Sequence, residues 1–257
     1  YPIAVVPDLF TNTVPAPEFV LCEACYGGNI LSKTAQTAIC MRMLSVGTRA
    51  FVGSTTIAYG SVSKPLIAAD LLAQDFWRFL LSGEAAGYAL MRAKLNLAKS
   101  MTQNQGYLDG EDQKTILSFV LYGDPLASKA GIKKLSLPKM RPAKSPVIKT
   151  LSDSREETIV KPSEMPTEIK AQVQKVINAY IPNLGDAKMA INPQLTNFTL
   201  ATDAIKGRKF KAERHGEEQK YFVTLRKSVE ASQVSHHSYA RLTFNSKGEI
   251  IKLATSR

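Results

Sequence analysis

The fold of this chain is decided by the stretch Phe19-Val20-Leu21-Cys22-Glu23-Ala24-Cys25-Tyr26-Gly27-Gly28-Asn29-Ile30. It begins as a short apolar run of strand length, and it breaks on two glycines just after Cys25. A parallel α/β sheet places its chemistry beyond the carboxyl ends of its strands, where backbone amides are free and side chains face a crevice. We therefore expect Cys25 to lie at such an edge.

A thiol at this place becomes a nucleophile when a base takes its proton and backbone N–H groups hold the oxyanion that forms on attack. The amides of Cys25 and Gly27 are the predicted oxyanion donors. Because glycine lacks Cβ, we expect Gly27 and Gly28 to let the main chain of a substrate approach closely. Cys25 is thus the predicted catalytic residue.

The motif Glu23-Ala24-Cys25-Tyr26-Gly27-Gly28 resembles the nucleophile motif of caspase-like cysteine peptidases. Later blocks follow in the same order as in the second half of the catalytic domain of gingipain-type peptidases, and more loosely as in the CHAT branch of that clan. The resemblance covers roughly residues 1–130. These blocks are Gly47–Thr55, Ile57–Gly60, Phe79–Ala85 with Ala89–Lys94, and Phe119–Pro125.

The resemblance implies a cysteine endopeptidase with a Cys-His dyad, cleaving after Lys or Arg and made from a precursor by proteolysis. It implies a caspase-like α/β fold, a parallel sheet with helices on both faces. Some gingipain-like relatives use calcium structurally, but the sequence supports no cofactor or metal. A secreted location follows from the resemblance alone. The alternative is a CHAT-like or pseudo-enzymatic protein that acts as a regulatory switch.

Charge divides the chain into two domains and a connector. Residues 1–130 carry 10 basic and 10 acidic side chains, whereas residues 131–150 carry 6 basic and no acidic ones, and residues 151–257 carry 17 and 12. We predict a peptidase half over 1–131, a basic Pro-rich linker over 132–162 and a second domain over 163–257. If the enzyme cuts after Lys or Arg, the linker is also where it would cut itself.

Periodicity predicts the elements around Cys25. A helix is expected over Ser32–Val46 with Ser32 as N-cap, followed by a strand Arg49–Gly53 parallel to Phe19–Ala24. Parallel strands end at one edge, so Ser54, Thr55 and Tyr59 are predicted substrate-binding residues beside Cys25. Further along, helices are expected over Ile67–Leu81 and Glu84–Met101, the second capped by Ser82, and a strand over Thr115–Tyr122.

The second domain is predicted to place one helix on an antiparallel sheet of about four strands. The helix starts near Thr167 and carries an apolar stripe as far as Tyr180. The strand segments are Asn197–Leu200, Lys220–Leu225, Tyr239–Phe244 and Glu249–Leu253. The architecture resembles cystatin-like or PepSY-like α+β modules, which assigns no binding residue.

The base that Cys25 needs is not found near it in the sequence. The three histidines are His215, His236 and His237, all in the second domain, whereas the resemblance implies a His-Gly motif on the strand before the cysteine. We expect a second polypeptide, the N-terminal piece of the same precursor, to supply the earlier strands and the histidine. The rival explanation is that His236 or His237 reaches back to Cys25.

Composition excludes several other classes. The net charge of +11 suggests nucleic acid or an acidic membrane surface as partners, but no DNA- or RNA-binding motif accompanies it, so neither is expected. No run of 18 apolar residues is present to span a membrane. Cys22 and Cys40 are predicted to be small buried hydrophobic residues, because the three cysteines form neither a disulfide framework nor a metal set. Protein or peptide substrates are expected.

Overall fold

The structure is a computed structural model that describes residues 5–11, 16–129, 149–151, 166–195, 198–200, 219–231 and 234–256. We call residues 5–129 the N-terminal region and residues 166–256 the tail. The predicted linker, residues 132–162, lies outside the described residues apart from Lys149–Leu151. Those three residues form a strand, β5, paired with β7 (Phe198–Leu200).

The N-terminal region alternates strands and helices, after a short 3₁₀ helix at Pro7–Leu9. Its elements in chain order are β1 (Phe19–Cys22), α1 (Ile39–Ser45), β2 (Ala50–Ser54), β3 (Tyr59–Ser61), α2 (Ala68–Leu81), α3 (Ala86–Gln105), α4 (Gly110–Ser118) and β4 (Phe119–Gly123). None of the helices among the described residues is both long and apolar enough to cross a membrane.

A three-stranded sheet with the order β1-β2-β4 lies at the centre of this region. Strand β1 runs parallel to β2, with Phe19 opposite Ala50, so the predicted parallel pairing is confirmed. Strand β4 runs antiparallel to β2 and makes the sheet mixed. All five residues of β2 are buried, whereas those of β1 are only partly buried, which places β2 inside and β1 at an edge.

Helices cover both faces of this sheet, as predicted. Side chains alternate between the faces of a strand, so Phe19 and Leu21 pack against the core formed with α2 and α3. Val20 and Cys22 pack on the opposite face, against the cluster that contains Cys40 of α1. The region has the mixed α/β architecture expected of a caspase-like fold.

Three boundaries in this region differ from the prediction. Helix α1 begins only at Ile39, because Ser32 has φ of 57° and cannot cap a right-handed helix there. Ser82 ends α2 by donating to the Phe79 carbonyl (2.7 Å) and does not cap α3. The predicted strand from Thr115 is wrong in its first half: Asp109 caps α4, and the helix continues to Ser118 before β4 starts.

The tail packs one helix on an antiparallel sheet, as predicted. Its elements are α5 (Thr167–Tyr180), a 3₁₀ helix at Pro182–Leu184, β6 (Lys188–Leu195), β7, β8 (Gln219–Ala231), β9 (Val234–Phe244) and β10 (Ile250–Ser256). Apolar residues of α5 such as Val173 and Ile177 pack on Val223 and Leu242 of the sheet. Strand β6 is not among the predicted strands, and β7 pairs with β5 outside the main sheet.

The two regions share one sheet, which the sequence did not predict. The five-stranded sheet has the order β3-β10-β9-β8-β6, and its outermost strand β3 belongs to the N-terminal region. Strand β3 pairs antiparallel with the end of β10, with Tyr59 opposite Ser256 and Ser61 opposite Ala254. The tail is therefore built onto the N-terminal region through main-chain hydrogen bonds close to the strand end that carries Cys25.

A buried cluster of charges, which we call the junction, reinforces this contact. The Lys252 ammonium of β10 donates to Asp109 (2.7 and 2.9 Å) and to Asp112 (2.8 Å) at the start of α4. The Arg241 guanidinium of β9 pairs with Glu111 at 2.7 Å. Lys252 is 6 % exposed and the three carboxylates are 2 % exposed or less, so the Lys252 ammonium and all three carboxylates are shielded from water.

Candidate active site

Cys25 lies in a turn that follows β1 and is held against the end of β2. The Tyr26 amide donates to the Thr56 carbonyl and the Gly28 amide to the Ser54 carbonyl, each at 2.8 Å. The ends of the two parallel strands therefore meet at one edge, as the prediction required. This edge also carries the short chain from Thr55 to Ala58 that leads into β3.

The glycines after Cys25 serve packing in the structure. A Cβ on Gly28 would lie 2.6 Å from the Gly53 carbonyl oxygen, and one on Gly27 would lie 2.3 Å from the Cys22 sulfur. No real side chain tolerates such distances. The turn thus lies too close to β2 and Cys22 for side chains at these positions. The expectation that the glycines also let the main chain of a substrate approach stays a prediction.

The Cys25 thiol is partly buried, and its sulfur lies 3.5 Å from the Ala58 carbonyl oxygen, to which it can donate. Its backbone N–H donates to no acceptor within the ranges that the structure describes. The Gly27 N–H, by contrast, donates to the Ala24 carbonyl (3.1 Å) and is engaged within the turn. Of the two predicted oxyanion donors, the Cys25 amide is the one left available.

The three predicted substrate-binding residues occupy different environments. Ser54 is fully buried, and its hydroxyl lies within hydrogen-bond distance of the Ser118 hydroxyl (3.0 Å) and of the Thr56 carbonyl, which can only accept (3.1 Å). Thr55 is partly exposed and lines a cavity of about 460 Å³. Tyr59 is partly buried at the start of β3. The structure thus brings Thr55 and Tyr59 to the surface near Cys25 and places Ser54 beneath it.

Tyr59 lies between Cys25 and the junction. Burial raises the pKa of its phenol to about 12, and the negative charge of Glu111 contributes to the shift, as does Cys25 to a smaller degree. The Lys114 ammonium lies 5.7 Å from the centre of the Tyr59 ring. At neutral pH the phenol therefore keeps its proton and serves as a neutral hydrogen-bonding group, not as a base.

The cavity beside Thr55 is formed by both regions of the chain. Thr56 and the residues of α4 form its walls on one side, and Arg241 of the tail contributes to the other. The described residues that line it include two cationic side chains and no carboxylate. They are Thr55, Thr56, Gly110, Gln113, Lys114, Leu117, Ser118 and Arg241.

The histidines described in the structure do not contact Cys25. The His237 ring is exposed on β9 and its Nδ1 lies 2.8 Å from the Ser228 hydroxyl. His215 lies outside the described residues, and of His236 only the backbone, in β9, is described. The alternative in which a tail histidine serves as the base therefore gains no support from His237.

Other polar residues of the N-terminal region have structural partners. The Asp70 carboxylate accepts from the Ser61 amide (2.8 Å) and hydroxyl (2.7 Å), which ties α2 to β3. Asp75 pairs with Arg78 at 2.7 Å. Cys40 is fully buried, as predicted, and burial raises the pKa of the half-buried Cys22 thiol. These groups stabilise the fold around the site.

Sequence reasoning missed the contributions of Lys114 and Arg241. Neither belongs to a motif, and a single lysine on a short helix or an arginine on a strand normally reads as a solvated charge. Both reach the site because α4 and β9 meet beside β2, a contact between segments about 130 residues apart in the chain. Only the packing of the tail on the N-terminal region shows their position.

Comparisons with known proteins give one match. No curated protein and no solved structure was found to match the chain. The family model for Peptidase family C25 matches residues 8–129, a range that contains β1 to β4 and the whole turn around Cys25. This region, a little under half of the chain, therefore matches peptidase family C25, the gingipain family of cysteine peptidases.

Proposed function

We propose that this chain is the nucleophile-bearing part of a cysteine endopeptidase, with Cys25 as its catalytic residue. One observation carries the proposal. Within the segment that matches family C25, the Cys25 sulfur lies beyond the end of a parallel strand, partly exposed, with its own backbone amide unoccupied among the described residues. A thiol and an N–H donor next to one another are the two groups that acyl transfer requires.

The reaction divides into two steps. The Cys25 sulfur attacks the scissile carbonyl, an imidazole accepts the thiol proton and returns it to the leaving amine, and the Cys25 N–H stabilises the oxyanion. Water then hydrolyses the thioester and regenerates the thiol. In the resting site the thiol faces the Ala58 carbonyl, so the sulfur must turn from this acceptor toward the imidazole before it reacts.

We propose that the imidazole comes from a segment outside these 257 residues that adds to the open edge of β1. Strand β1 pairs on one side with β2, and no described strand pairs on its other side. All four of its residues are apolar or sulfur-bearing and only partly buried, a composition that suits an interior strand better than an edge. The simplest source of this segment is the same precursor, cleaved by proteolysis.

Hydrogen exchange tests this strand addition without altering the chain. The Glu18 carbonyl accepts from the Ala50 amide of β2, and since alternate residues of a strand face opposite sides, the amides of Phe19 and Leu21 face the open edge. We expect these two amides to exchange about tenfold more slowly in the assembled enzyme than in the isolated chain. Equal exchange in both, or denaturing mass spectrometry showing only the 257-residue chain in an active preparation, contradicts the proposal.

Cleavage after Lys or Arg is the finer preference that the family implies. Recognition of a basic side chain needs a carboxylate, and none lines the cavity beside Thr55 among the described residues. We propose that this carboxylate, like the imidazole, belongs to the segment that pairs with β1. On the same premise the enzyme should cut itself within the basic residues 132–162, which mass spectrometry of new termini would detect.

Replacement of the nucleophile tests the proposed function. We expect Cys25→Ala to reduce hydrolysis of basic peptide amides by the active assembly by a factor of about 10³ or more. Cys22→Ala is the matched control, because this second thiol lies three residues away but packs into the fold, and it should leave hydrolysis within about threefold.

A peptidyl electrophile should label Cys25 and leave Cys22 unmodified. Equal hydrolysis by wild type and Cys25→Ala would refute the assignment. Failure of Cys25 to react with the electrophile in the assembled protein would instead favour the CHAT-like regulatory function.

A further inference from the structure

The cavity beside Thr55 has a chemistry that the proposed mechanism does not use. It adjoins the reactive centre through two backbone contacts: Thr56 accepts the Tyr26 amide at 2.8 Å, and Ala58 lies 3.5 Å from the Cys25 sulfur. A group bound in this cavity therefore lies within a few residues of the scissile bond of an extended substrate. About 460 Å³ is enough for one side chain and its water.

Lys114 supplies the charge of this cavity. Its side chain is partly exposed, and its ammonium forms no ion pair with any carboxylate among the described residues. Its described neighbour is the Tyr59 ring, 5.7 Å away, which orients a cation without neutralising it. Arg241 adds a second cation to the lining, and Glu111, which pairs with Arg241, lies behind the lining.

The remaining lining residues are uncharged, and they comprise glycine, serine, threonine and glutamine together with the exposed Leu117 of α4. Thr55 and Thr56 lie at the end of β2, and Gln113 contributes an amide from α4. A carboxylate entering this space would meet an ammonium and hydroxyl groups, and it would displace no acidic side chain. A cationic side chain would meet like charges, which disfavours it by several-fold in affinity.

We infer that this cavity is a substrate subsite for an acidic residue, Asp or Glu, close to the cleaved bond, with Lys114 as its specificity-determining residue. The inference rests on the proposed peptidase function and sharpens it, since it assigns an acidic position in addition to the basic one. A substrate would then carry a basic residue at the cleaved bond and an acidic residue close to it. The tail takes part in this recognition through Arg241, because one wall of the subsite comes from β9.

Peptide hydrolysis tests the subsite. The probes are fluorogenic peptides that carry Glu, Gln or Lys in turn at each position around the scissile bond, assayed with the active assembly. At one position we expect kcat/KM for Glu to exceed that for Gln by about tenfold, mainly through KM. Lys114→Met should remove this preference and Lys114→Glu should reverse it toward Lys. Raising the salt concentration should reduce the ratio of kcat/KM between the Glu and Gln peptides in wild type.

Lys99→Met is the matched control, because Lys99 is an exposed lysine of α3 without a described ion pair and does not line the cavity. It should keep the full preference for Glu. Equal rates for Glu and Gln at every position in wild type, or a Glu preference that survives Lys114→Met, would overturn the inference.

Binding separates failure of the subsite from failure of the peptidase assignment. The Cys25→Ala variant cannot form an acyl-enzyme, yet its cavity is intact, so titration calorimetry should still show tighter binding of the Glu peptide than of the Gln peptide. If hydrolysis proves independent of Cys25 but this difference in binding persists, the proposed function fails and the subsite stands. If hydrolysis depends on Cys25 and the Glu and Gln peptides bind equally, the subsite fails alone.

Discussion

The N-terminal region has two strand edges close to Cys25, and only one of them is paired with a described strand. The edge of β3 is covered by β10 of the tail, and its neighbourhood is fixed by the buried ion pairs of the junction. The edge of β1 carries no described partner, although its residues are apolar. One edge is thus completed within the chain, and the other presents the pairing surface for the segment that we propose.

This difference supports the proposal that a further strand adds beside the nucleophile. At the covered edge, three residues of β3 pair with β10 through the main chain. The buried ion pairs of the junction, such as that of Lys252 with Asp112, add contacts specific to this partner. Buried charges of this kind add specificity more than stability, because their desolvation offsets most of their attraction. The tail thus packs directly beside the segment that carries Cys25, and three experiments test what this contact contributes to stability and to the nucleophile.

The largest effect is expected on breaking the junction. Lys252→Met removes the ammonium that Asp109 and Asp112 share and leaves two buried carboxylates without their cation. We expect a loss of about 3–5 kcal/mol in the free energy of unfolding. Urea unfolding followed by circular dichroism measures it, and hydrolysis should fall as well, because β3 and Tyr59 depend on the same contact.

The surface ion pair of Lys227 with Asp186 is the control for this experiment. Its atoms are 2.6 Å apart, but the two side chains are 30 % and 72 % exposed. Lys227→Met should cost less than about 1 kcal/mol. If Lys252→Met lowered the free energy of unfolding no more than Lys227→Met, the junction would not stabilise the contact between the two regions. The pairing of β3 with β10 would then not depend on the buried ion pairs.

A smaller effect is expected in the turn that lies between the two edges. Gly28→Ala places a Cβ 2.6 Å from the Gly53 carbonyl oxygen, so the turn must move away from β2. We expect a loss of about 2–3 kcal/mol in stability and slower labelling of Cys25 by a peptidyl electrophile.

Gly185→Ala is the control for the turn, since Gly185 has φ of −61° and the nearest atom to its added Cβ lies at 3.4 Å. This change should be almost neutral for stability. Unchanged labelling of Cys25 in Gly28→Ala would show that the close approach to β2 does not position the sulfur.

The smallest effect concerns pH. Burial raises the pKa of Glu111 and Asp112 to about 7, helped by the charge of Asp109. Burial of Asp109 would raise its pKa, but the Lys252 ammonium outweighs this effect and lowers the pKa of Asp109 to about 2. Three buried carboxyls thus face two cations, which favours the binding of a proton at the junction. Between about pH 4 and 7 the folded state therefore binds more protons than the unfolded state, and stability should fall as the pH rises through this range.

Asp112→Asn removes one of the carboxylates that compete for the two cations. It should therefore flatten the fall in stability as the pH rises. Asp109 does not disturb the measurement, since its contribution is lost only as the pH falls toward 2. Asp186→Asn, an exposed position beside Lys227, should keep the wild-type slope between pH 5 and 7.5. Parallel curves for wild type and Asp112→Asn would show that no proton is bound at the junction.

The sequence predicted the elements whose signals are local. The apolar run before Cys25, the parallel β2 and the long helices α2 and α3 have clear patterns, and each is present. Helix α4 was partly mistaken for a strand, because an apolar run of eight residues that begins in a helix and ends in a strand shows neither period for long enough. The helix predicted from Ser32 starts only at Ile39, because the positive φ of Ser32 is incompatible with a helix N-cap even though its side chain is a good one.

What the sequence did not show depends on contacts between distant segments. Strand β3 has only three residues, and its partner lies nearly 200 residues later, so no pattern reveals the pairing. Lys252 would ordinarily be read as a solvent-exposed residue, and its burial becomes intelligible only with Asp109 and Asp112 opposite it. For the site, Cys25 and Thr55 could be placed from strand ends alone, whereas Lys114 could not.

The pairing of Tyr59 with Ser256 has a practical consequence for handling the protein. A proline among residues 254–256 would remove a main-chain donor from the pairing with β3 and would loosen the segment that leads to Cys25. Substitutions and labels therefore belong elsewhere on the molecule.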